Sequence, residues 1–263
     1  MSAKASARTR RGPFIKPAFA AIVLTGVSLH AQWLNFKTPG VPRTADGKPN
    51  LSAPAPKMPD GKPDLSGLWN ADRGYLVNIA VNLKEVPMRP AGLELFNQRK
   101  DGALAKEEPD ANCLPQGVPK IDAAPVPWKL IQGRGEVTIL YEAFSQFREI
   151  FTDGRELPKD PNPTWLGYSV GHWEGDTLVV ESSGFNGKTW LDQMGHPASD
   201  ALHVTERFRR KDFGHLELEI TIDDPKMYTK PWTVKENPSL LLDSELLEFN
   251  CNENERDIRH MVP

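Results

Sequence analysis

One stretch of the sequence decides the fold: LELEITI, from Leu216 to Ile222, in which apolar and polar residues alternate. Successive side chains of a β-strand point to opposite faces of its sheet. The stretch therefore predicts a strand with one face in a core and the other in solvent. The same alternation places Val137, Ile139 and Tyr141 on one face of another strand. Half-buried strands of this kind are typical of antiparallel sheets.

From Trp128 onward, the chain consists of short segments of this kind separated by Gly, Pro, Asp and Asn. Further strands are predicted at Phe147–Phe151, Trp165–Trp173, Thr177–Ser182, His203–Arg209, Trp232–Lys235 and Glu245–Cys251. Glu174–Asp176 is predicted as a tight hairpin loop and Pro90–Lys106 as a helix. We therefore predict a mostly β fold, an antiparallel meander closing into a lipocalin-like barrel or sandwich, with one N-terminal helix and a Pro-rich lead-in.

The N-terminal residues, 1–31, have the layout of a secretory signal peptide. Basic residues precede an apolar run from Pro17 to Leu29, and Ala31 is a small residue suited to cleavage. The run is too short to predict a stable membrane span, and none is expected in the mature chain; the alternative is that the signal stays uncleaved as an anchor. We therefore expect a periplasmic or secreted protein.

Residues 32–63 are rich in proline and contain an imperfect repeat, DGKPNLS from Asp46 and DGKPDLS from Asp60. Asp-Gly and Lys-Pro are turn and extended-chain signals. This segment is therefore predicted as an extended linker that lies along the domain that follows it. Residues 64–263 have the usual length of one domain and are predicted to form a single β-rich domain.

The sequence has two cysteines, Cys113 and Cys251. In an oxidising compartment we expect them to form one disulfide. Because that disulfide closes a long loop, it contributes about 4 to 5 kcal/mol in the chain-entropy model. The alternative is two buried thiols, since the spacing matches neither a CxxC redox motif nor a zinc site.

Charge and motif content narrow the classes of partner. A formal net charge of −3 gives no general attraction to nucleic acid. The sequence contains no phosphate-binding loop and no dinucleotide motif. Its Gly-x-Ser-x-Gly match, GYSVG from Gly167 to Gly171, falls inside a predicted strand and not at a strand-to-helix turn, which disfavours an α/β serine hydrolase. We therefore predict a small-molecule ligand or substrate, no cofactor and no nucleic acid, and we predict no particular oligomeric state.

Several motifs resemble those of a group of uncharacterised exported bacterial proteins. GYSVGHWEGDTLVVE runs from Gly167 to Glu181, DGKPDLSGLW begins at Asp60, and CLPQGVP begins at Cys113. This resemblance covers nearly the whole mature chain. It implies export and a shared fold, and it brings no catalytic residues. The triplet GLW at Gly67 also resembles the Gly-x-Trp motif near the first strand of lipocalin-like (calycin) barrels.

Some polar residues fall on strand faces that are otherwise apolar. In the strand that ends at Trp173, His172 shares a face with Leu166, Tyr168 and Val170. If this face lines a cavity, His172 and Tyr168 are its natural polar groups.

Two further places carry candidates for acid–base chemistry. Glu206 shares a strand face with apolar residues, where burial would suit it to act as a general acid or base. The alternative is a structural ion pair with Arg148 or Arg155. Asp192 and His196 fall close together in a loop, as an orienting carboxylate and a general base, or simply as parts of a hydrogen-bonded surface turn.

The histidines do not predict a metal site. His203 and Glu206 are three residues apart on a predicted strand, so their side chains point to opposite faces. His172 and His196 fall in other segments, and no HExxH motif is present.

Aromatic residues are concentrated in the second half of the chain, where they can line a pocket or fill a barrel. The predicted ligand-binding residues are Tyr141, Tyr168, Trp165, Trp173 and Trp190.

The leading functional hypothesis is an exported β-barrel protein that binds a small apolar or aromatic molecule. The alternative is an envelope enzyme, a hydrolase, lyase or isomerase, that performs acid–base catalysis in the barrel cavity. A third possibility is a structural or interaction protein whose interior is filled by side chains. The predicted catalytic residues of the enzyme are His172, Glu206, Asp192 and His196.

Overall fold

Alternating buried and half-exposed side chains are the common feature of the strands. The structure is a computed structural model that describes residues 37–251. The predicted signal peptide, residues 1–31, lies outside this range. Leu216, Leu218, Ile220 and Ile222 are all fully buried, as the alternating sequence predicts.

Ten strands and two α-helices make up the described fold. The strands are β1 (Gly67–Asn70), β2 (Trp128–Gln132), β3 (Glu136–Tyr141), β4 (Gln146–Phe151), β5 (Tyr168–Glu174), β6 (Thr177–Ser183), β7 (His203–Arg210), β8 (Leu216–Asp223), β9 (Trp232–Glu236) and β10 (Ser239–Leu240). The helices are α1 (Arg73–Val77) and α2 (Pro90–Lys100). Short 3-10 turns lie at Ala105–Glu107, Asp110–Asn112 and Ala143–Ser145.

The strands form one strongly curled sheet in the order β10-β1-β2-β3-β4-β5-β6-β7-β8-β9. Near its ends the sheet turns back on itself, because Leu216 N–H donates to Pro238 O (3.0 Å) and Leu240 N–H donates to Gly214 O (2.8 Å). The mostly β, barrel-like fold predicted from the sequence is therefore confirmed, in the form of a half-barrel.

One strand pair departs from the predicted antiparallel meander. β4 and β5 run parallel and pair at only two positions, Ile150 with Ser169 and Phe151 with Val170. A long connection, residues 152–167, carries the chain back before β5 begins. Parallel neighbours need such a crossover, whereas antiparallel neighbours need only a tight turn.

The concave side of the sheet is filled by side chains. Trp69, Trp128 and Phe208 are completely buried there, within one contiguous cluster of apolar residues. Large buried aromatics of this kind each remove on the order of 200 Å² of surface from water and dominate the energy of a core. The core therefore occupies the space in which the sequence predicts a cavity.

The proline-rich segment folds into two copies of one small turn. Met58 N–H donates to Lys62 O (2.8 Å), and Thr44 N–H donates to Lys48 O (2.9 Å) at the equivalent place. The turns predicted at the two Asp-Gly pairs are confirmed, and each glycine adopts the positive φ that such a turn requires. Leu51 O accepts a hydrogen bond from Gly214 N–H (2.8 Å), so the segment lies along the domain.

Helix α2 is shorter than predicted. It begins at Pro90 as expected but ends at Lys100, where the prediction extends to Lys106. Gly102 follows with a φ of +79°, the left-handed conformation that commonly ends a helix. Within residues 37–251, no helix is long and apolar enough to cross a membrane.

A disulfide joins Cys113 to Cys251 across 138 residues, as the sequence predicts. The strand predicted at Glu245–Cys251 is wrong, because this segment joins no strand ladder. Side chains hold it instead: Glu142 Oε2 accepts from Leu247 N–H (2.9 Å), and Ser145 Oγ donates to Phe249 O (3.0 Å).

Candidate functional site

The four predicted catalytic residues lie in three separate places. Glu206 is inside the half-barrel, His172 is on its outer face, and Asp192 and His196 lie together in a loop between β6 and β7. Only the last two form a pair. The structure therefore divides the sequence candidates into a core network, a surface residue and a dyad.

The core network is centred on Arg148. Its guanidinium forms an ion pair with Glu206, donates to Ser169 Oγ (3.0 Å) and donates to Ser182 Oγ (2.8 Å). All four side chains are buried. The structural alternative for Glu206, a pair with Arg148, is confirmed. The carboxylate of Glu206 is therefore engaged in a buried ion pair.

Two other carboxyl groups share this interior. Burial raises the pKa of Asp122 to about 7, the charge of Glu206 adds to this effect, and Tyr141 donates a hydrogen bond to Asp122 Oδ1 (2.6 Å). Burial also raises the pKa of Glu236 to about 8. Neither oxygen of Glu236 has a hydrogen-bond partner within the described part of the chain. The interior is thus an acidic cluster in which burial favours the neutral forms of Asp122 and Glu236.

The prediction that His172 faces the interior is wrong. The imidazole lies on the outer face, where its side chain is 56% exposed and contacts Glu174. The opposite face of β5 turns inward, because Ser169 on that face hydrogen-bonds to Arg148. The inward positions of β5 include a polar serine, Ser169, and a glycine, Gly171. Because neither is hydrophobic, the hydrophobic pattern assigned the wrong face of the strand to the interior.

The predicted ligand-binding aromatics do not share one pocket. Trp165 and Tyr168 line a shallow groove of about 430 Å³ where β4 and β5 diverge. Tyr141 is buried against Asp122, Trp173 lies beneath Lys62, and Trp190 is covered by the guanidinium of Arg99 at 4.5 Å. These residues contribute to different parts of the surface and core.

Asp192 and His196 form a buried dyad. His196 Nδ1 lies 2.5 Å from Asp192 Oδ2, and both side chains are at most 4% exposed. The expected surface turn is therefore wrong as to burial, although local hydrogen bonds do hold the pair. Asp192 Oδ1 accepts from the backbone N–H groups of Gly195 (2.9 Å) and His196 (3.1 Å), and Oδ2 accepts from Ile79 N–H (2.9 Å).

The loop that carries the dyad is fixed on two sides. Gln193 N–H donates to Leu76 O (2.9 Å), which ties the loop to the end of α1. Gly195 has a φ of +93°, and a Cβ at this position would lie 2.3 Å from the Cβ of Arg99 on α2. The turn therefore requires glycine both for its backbone conformation and for close contact with the helix.

Aromatic rings flank the imidazole of His196. The Phe96 ring of α2 lies 4.5 Å from it, centroid to centroid, and the Trp232 ring lies 6.1 Å away. Among the residues that the structure describes, none hydrogen-bonds to the remaining ring nitrogen, Nε2. Nδ1 faces a carboxylate, which accepts hydrogen bonds, so Nδ1 carries the hydrogen and Nε2 is an acceptor when the ring is neutral.

His196 forms part of the wall of a groove of about 780 Å³, which we call the α2 groove. Its lining combines apolar side chains with charged groups at the rim. The lining residues are Lys84, Glu85, Val86, Pro87, Met88, Leu93, Phe96, His196, Thr229 and Lys230.

Backbone pairing holds the floor of the α2 groove together. Thr229 N–H donates to Pro87 O (2.8 Å), and Arg89 N–H donates to Met227 O (2.8 Å). The Tyr228 hydroxyl donates to Pro197 O (2.7 Å), which connects this floor to the His196 loop. The groove is therefore a built feature in which four chain segments meet.

Sequence reasoning identified His196 but missed the rest of the α2 groove. Phe96 was assigned only to a helix, and Lys84, Met88 and Lys230 carried no motif. The apolar Leu93 and Phe96, three residues apart on a helix, were the available signal, since such residues share one helix face.

No group of three or more His, Cys, Asp or Glu side chains within residues 37–251 is arranged to hold a metal ion. Neither a scan against protein-family models nor a search of curated proteins found a match to the chain.

Proposed function

We propose that this protein binds a small apolar or aromatic molecule and that the α2 groove is the binding site. The observation that carries the proposal is the oriented imidazole of His196 in the wall of a groove that also presents the apolar side chains of Leu93 and Phe96. Binding sites for small molecules commonly combine apolar walls with a few fixed polar groups.

The walls of the groove suit an apolar body. Leu93 is 49% exposed on α2, although a leucine side chain is stabilised by burial. Phe96 and Met88 continue the apolar surface toward His196. A bound aromatic ring would cover Leu93 and pack beside Phe96, removing from water the surface that is exposed in the unliganded protein.

Two other locations are less suited to bind a ligand than the α2 groove. The concave side of the sheet is filled by Trp69, Trp128 and their neighbours, so the central cavity predicted from the sequence has no support. The groove beside Trp165 and Tyr168 is smaller, about 430 Å³ against about 780 Å³. Its buried polar group, Arg148, is already fully engaged.

The enzyme alternative now rests on Asp192 and His196. An imidazole held by a buried carboxylate is the arrangement of a general base, and the geometry is favourable because His196 belongs to the groove wall. Glu206 and His172 lie elsewhere and do not join it. A hydrolase, lyase or isomerase of this kind would use the same groove that we propose for binding.

The disulfide between Cys113 and Cys251 supports the further proposal that the protein is exported. Disulfides persist in oxidising compartments and are rare where thiols are kept reduced. We therefore propose the periplasm or the exterior of the cell as the location of the binding activity.

Substitution of Leu93 by Gln tests the binding proposal. The probe is anilinonaphthalene sulfonate, which has an aromatic body and whose fluorescence rises when it leaves water. Leu93→Gln is expected to weaken probe binding about five- to tenfold, because it removes about 1 kcal/mol or more of apolar contact. The matched control is Ile131→Gln, at a residue that is 44% exposed on β2. Equal binding by the two variants would place the probe outside the α2 groove.

A further inference from the structure

The chemistry of His196 restricts what can lie against it. In the neutral ring, Nε2 is a hydrogen-bond acceptor, because Nδ1 donates to Asp192. A ligand that satisfies Nε2 must therefore present a donor. An apolar hydrocarbon packed against Nε2 would displace water from this nitrogen and leave it without a partner, which costs free energy.

Three common oxygen donors can be compared. A carboxylic acid is already ionised near neutral pH, so it presents acceptors to another acceptor. An aliphatic alcohol donates a hydrogen bond but is far too weak an acid to give up its proton. A phenol lies between them: its usual pKa of about 10 is about 3.5 units above the value of about 6.5 for an imidazolium, a gap of about 5 kcal/mol that nearby positive charges act to narrow.

The charges around the α2 groove favour transfer of the phenolic proton to His196. Lys84 and Lys230 lie in its lining, while Glu85 is the one acidic residue there. A phenolate in the groove would be attracted by both lysines, and the imidazolium left behind would keep its contact with the Asp192 carboxylate. The other titratable groups packed around His196 are Arg99 from α2 and Tyr228 from the floor.

We infer that the α2 groove takes a phenol, a hydroxyl group on an aromatic body, and that His196 Nε2 accepts the phenolic proton. The O–H bond of the ligand breaks, an N–H bond forms on the imidazole, and both electrons of the O–H bond remain on the oxygen as phenolate. No oxidant, metal or second reactant is needed. This inference rests on the proposed function, because it names the ligand class of the same groove.

The experiment uses two probes, para-nitrophenol and nitrobenzene, with the wild-type protein. They share the aromatic body and the nitro group, but only the first has a hydroxyl. Binding of each is measured by calorimetry, and ionisation of the phenol by its phenolate absorption band. At a pH about one unit below the pKa of free para-nitrophenol, roughly a tenth of the free probe is phenolate. We expect the bound probe to be mostly phenolate and to bind about tenfold more tightly than nitrobenzene.

Three variants assign the effect to named groups. His196→Gln is expected to retain nitrobenzene binding and to lose the phenolate band. Replacing the exposed Lys84 and Lys230 together by Met is expected to reduce the band, while Lys188→Met, at an exposed lysine outside the groove, leaves it unchanged. If His196→Gln does not fold, the two-probe comparison and the lysine variants still test whether the groove binds a phenol as its phenolate.

The outcomes separate the two claims. Equal binding of both probes without a phenolate band would overturn the phenol inference and leave the groove proposal in place. Binding of neither probe would overturn both. A phenolate band that persists in folded His196→Gln would contradict the role of His196 as the proton acceptor.

Discussion

At the scale of single residues, the interior of the half-barrel carries more acid than base. Asp122, Glu206 and Glu236 are all buried, and Arg148 is the cation that contacts the first two. Glu236 contacts no cation within the described range, and both of its carboxylate oxygens lack hydrogen bonds. Its charged form is therefore strongly disfavoured in the folded state.

Stability is predicted to fall as pH rises, and Glu236 is predicted to be a main cause. The pKa of Glu236 is about 8 in the folded protein, well above that of an unfolded chain. The folded state thus holds this proton more tightly, and the resulting stability is present below about pH 4 and lost as pH rises through about 8. Glu236→Gln is expected to reduce the loss of unfolding free energy between pH 5 and 9 by on the order of 2 to 4 kcal/mol.

Urea unfolding at both pH values measures this difference. The matched control is Glu219→Gln, at a partly exposed glutamate that pairs with Lys235 on the outer face; it should leave the pH dependence nearly unchanged. Part of the dependence will remain in Glu236→Gln, since Asp122 has a pKa of about 7. An unchanged pH dependence in Glu236→Gln would contradict the raised pKa of Glu236, because a group with the same pKa in the folded and unfolded states contributes no pH dependence.

The sequence predicted contacts between side chains in two situations. Either the two residues are close in the chain, or a buried acidic side chain requires a basic partner. Asp192 and His196 are four residues apart, so one turn brings them together. Glu206 lies on an apolar face, and a buried acid requires a partner such as Arg148. Burial of the dyad was not predictable, because it depends on α2 and Trp232 covering the loop.

At the scale of elements, α2 forms the wall of the proposed site and is held in place by close backbone contact. Gly92 is the only fully buried residue of this helix, and a Cβ there would lie 2.5 Å from the carbonyl oxygen of Met227. On the same helix, Arg99 packs against Gly195 and Trp190. The distance between α2 and the floor of the groove therefore depends on a glycine.

Gly92→Ala is predicted to move α2 outward and to weaken the proposed site. Alanine favours a helix over glycine by about 1 kcal/mol, but the clash with a backbone carbonyl cannot be relieved by a rotamer change. We expect a net destabilisation of about 1 to 3 kcal/mol in urea unfolding and weaker binding of anilinonaphthalene sulfonate. The exposed helix residue Gln98, replaced by Ala, serves as the control. A more stable Gly92→Ala protein with unchanged probe binding would contradict this account of the helix contact.

Strands were the most predictable elements, because alternation is a local property of the sequence. β7 and β8 match their predicted spans to within one residue at each end. The parallel pairing of β4 and β5 was not predictable, since alternation does not record strand direction. The segment Glu245–Cys251 has the composition of a strand, but its backbone hydrogen-bonds to the side chains of Glu142 and Ser145 and not to a neighbouring strand.

At the scale of the whole molecule, the α2 groove brings together parts of the chain that are far apart in sequence. Residues 84–88, α2, the loop with Asp192 and His196, and residues 228–230 all contribute. No local sequence pattern indicates such a site. The strand alternation, which is local, predicted a barrel, and the ligand site was therefore predicted inside it. The arrangement also places the proposed site beside the sheet, while the concave side serves as the hydrophobic core.

Nuclear magnetic resonance mapping of the isotope-labelled protein with para-nitrophenol tests the central claim most directly. The account predicts that the largest amide shift changes fall in residues 84–100, 190–197 and 228–230, with those of Phe96 and His196 among them. Shift changes centred on Trp165 and Tyr168 would instead assign binding to the groove beside β4. Changes confined to that groove, or no changes at saturating probe, would contradict the α2 groove as the binding site.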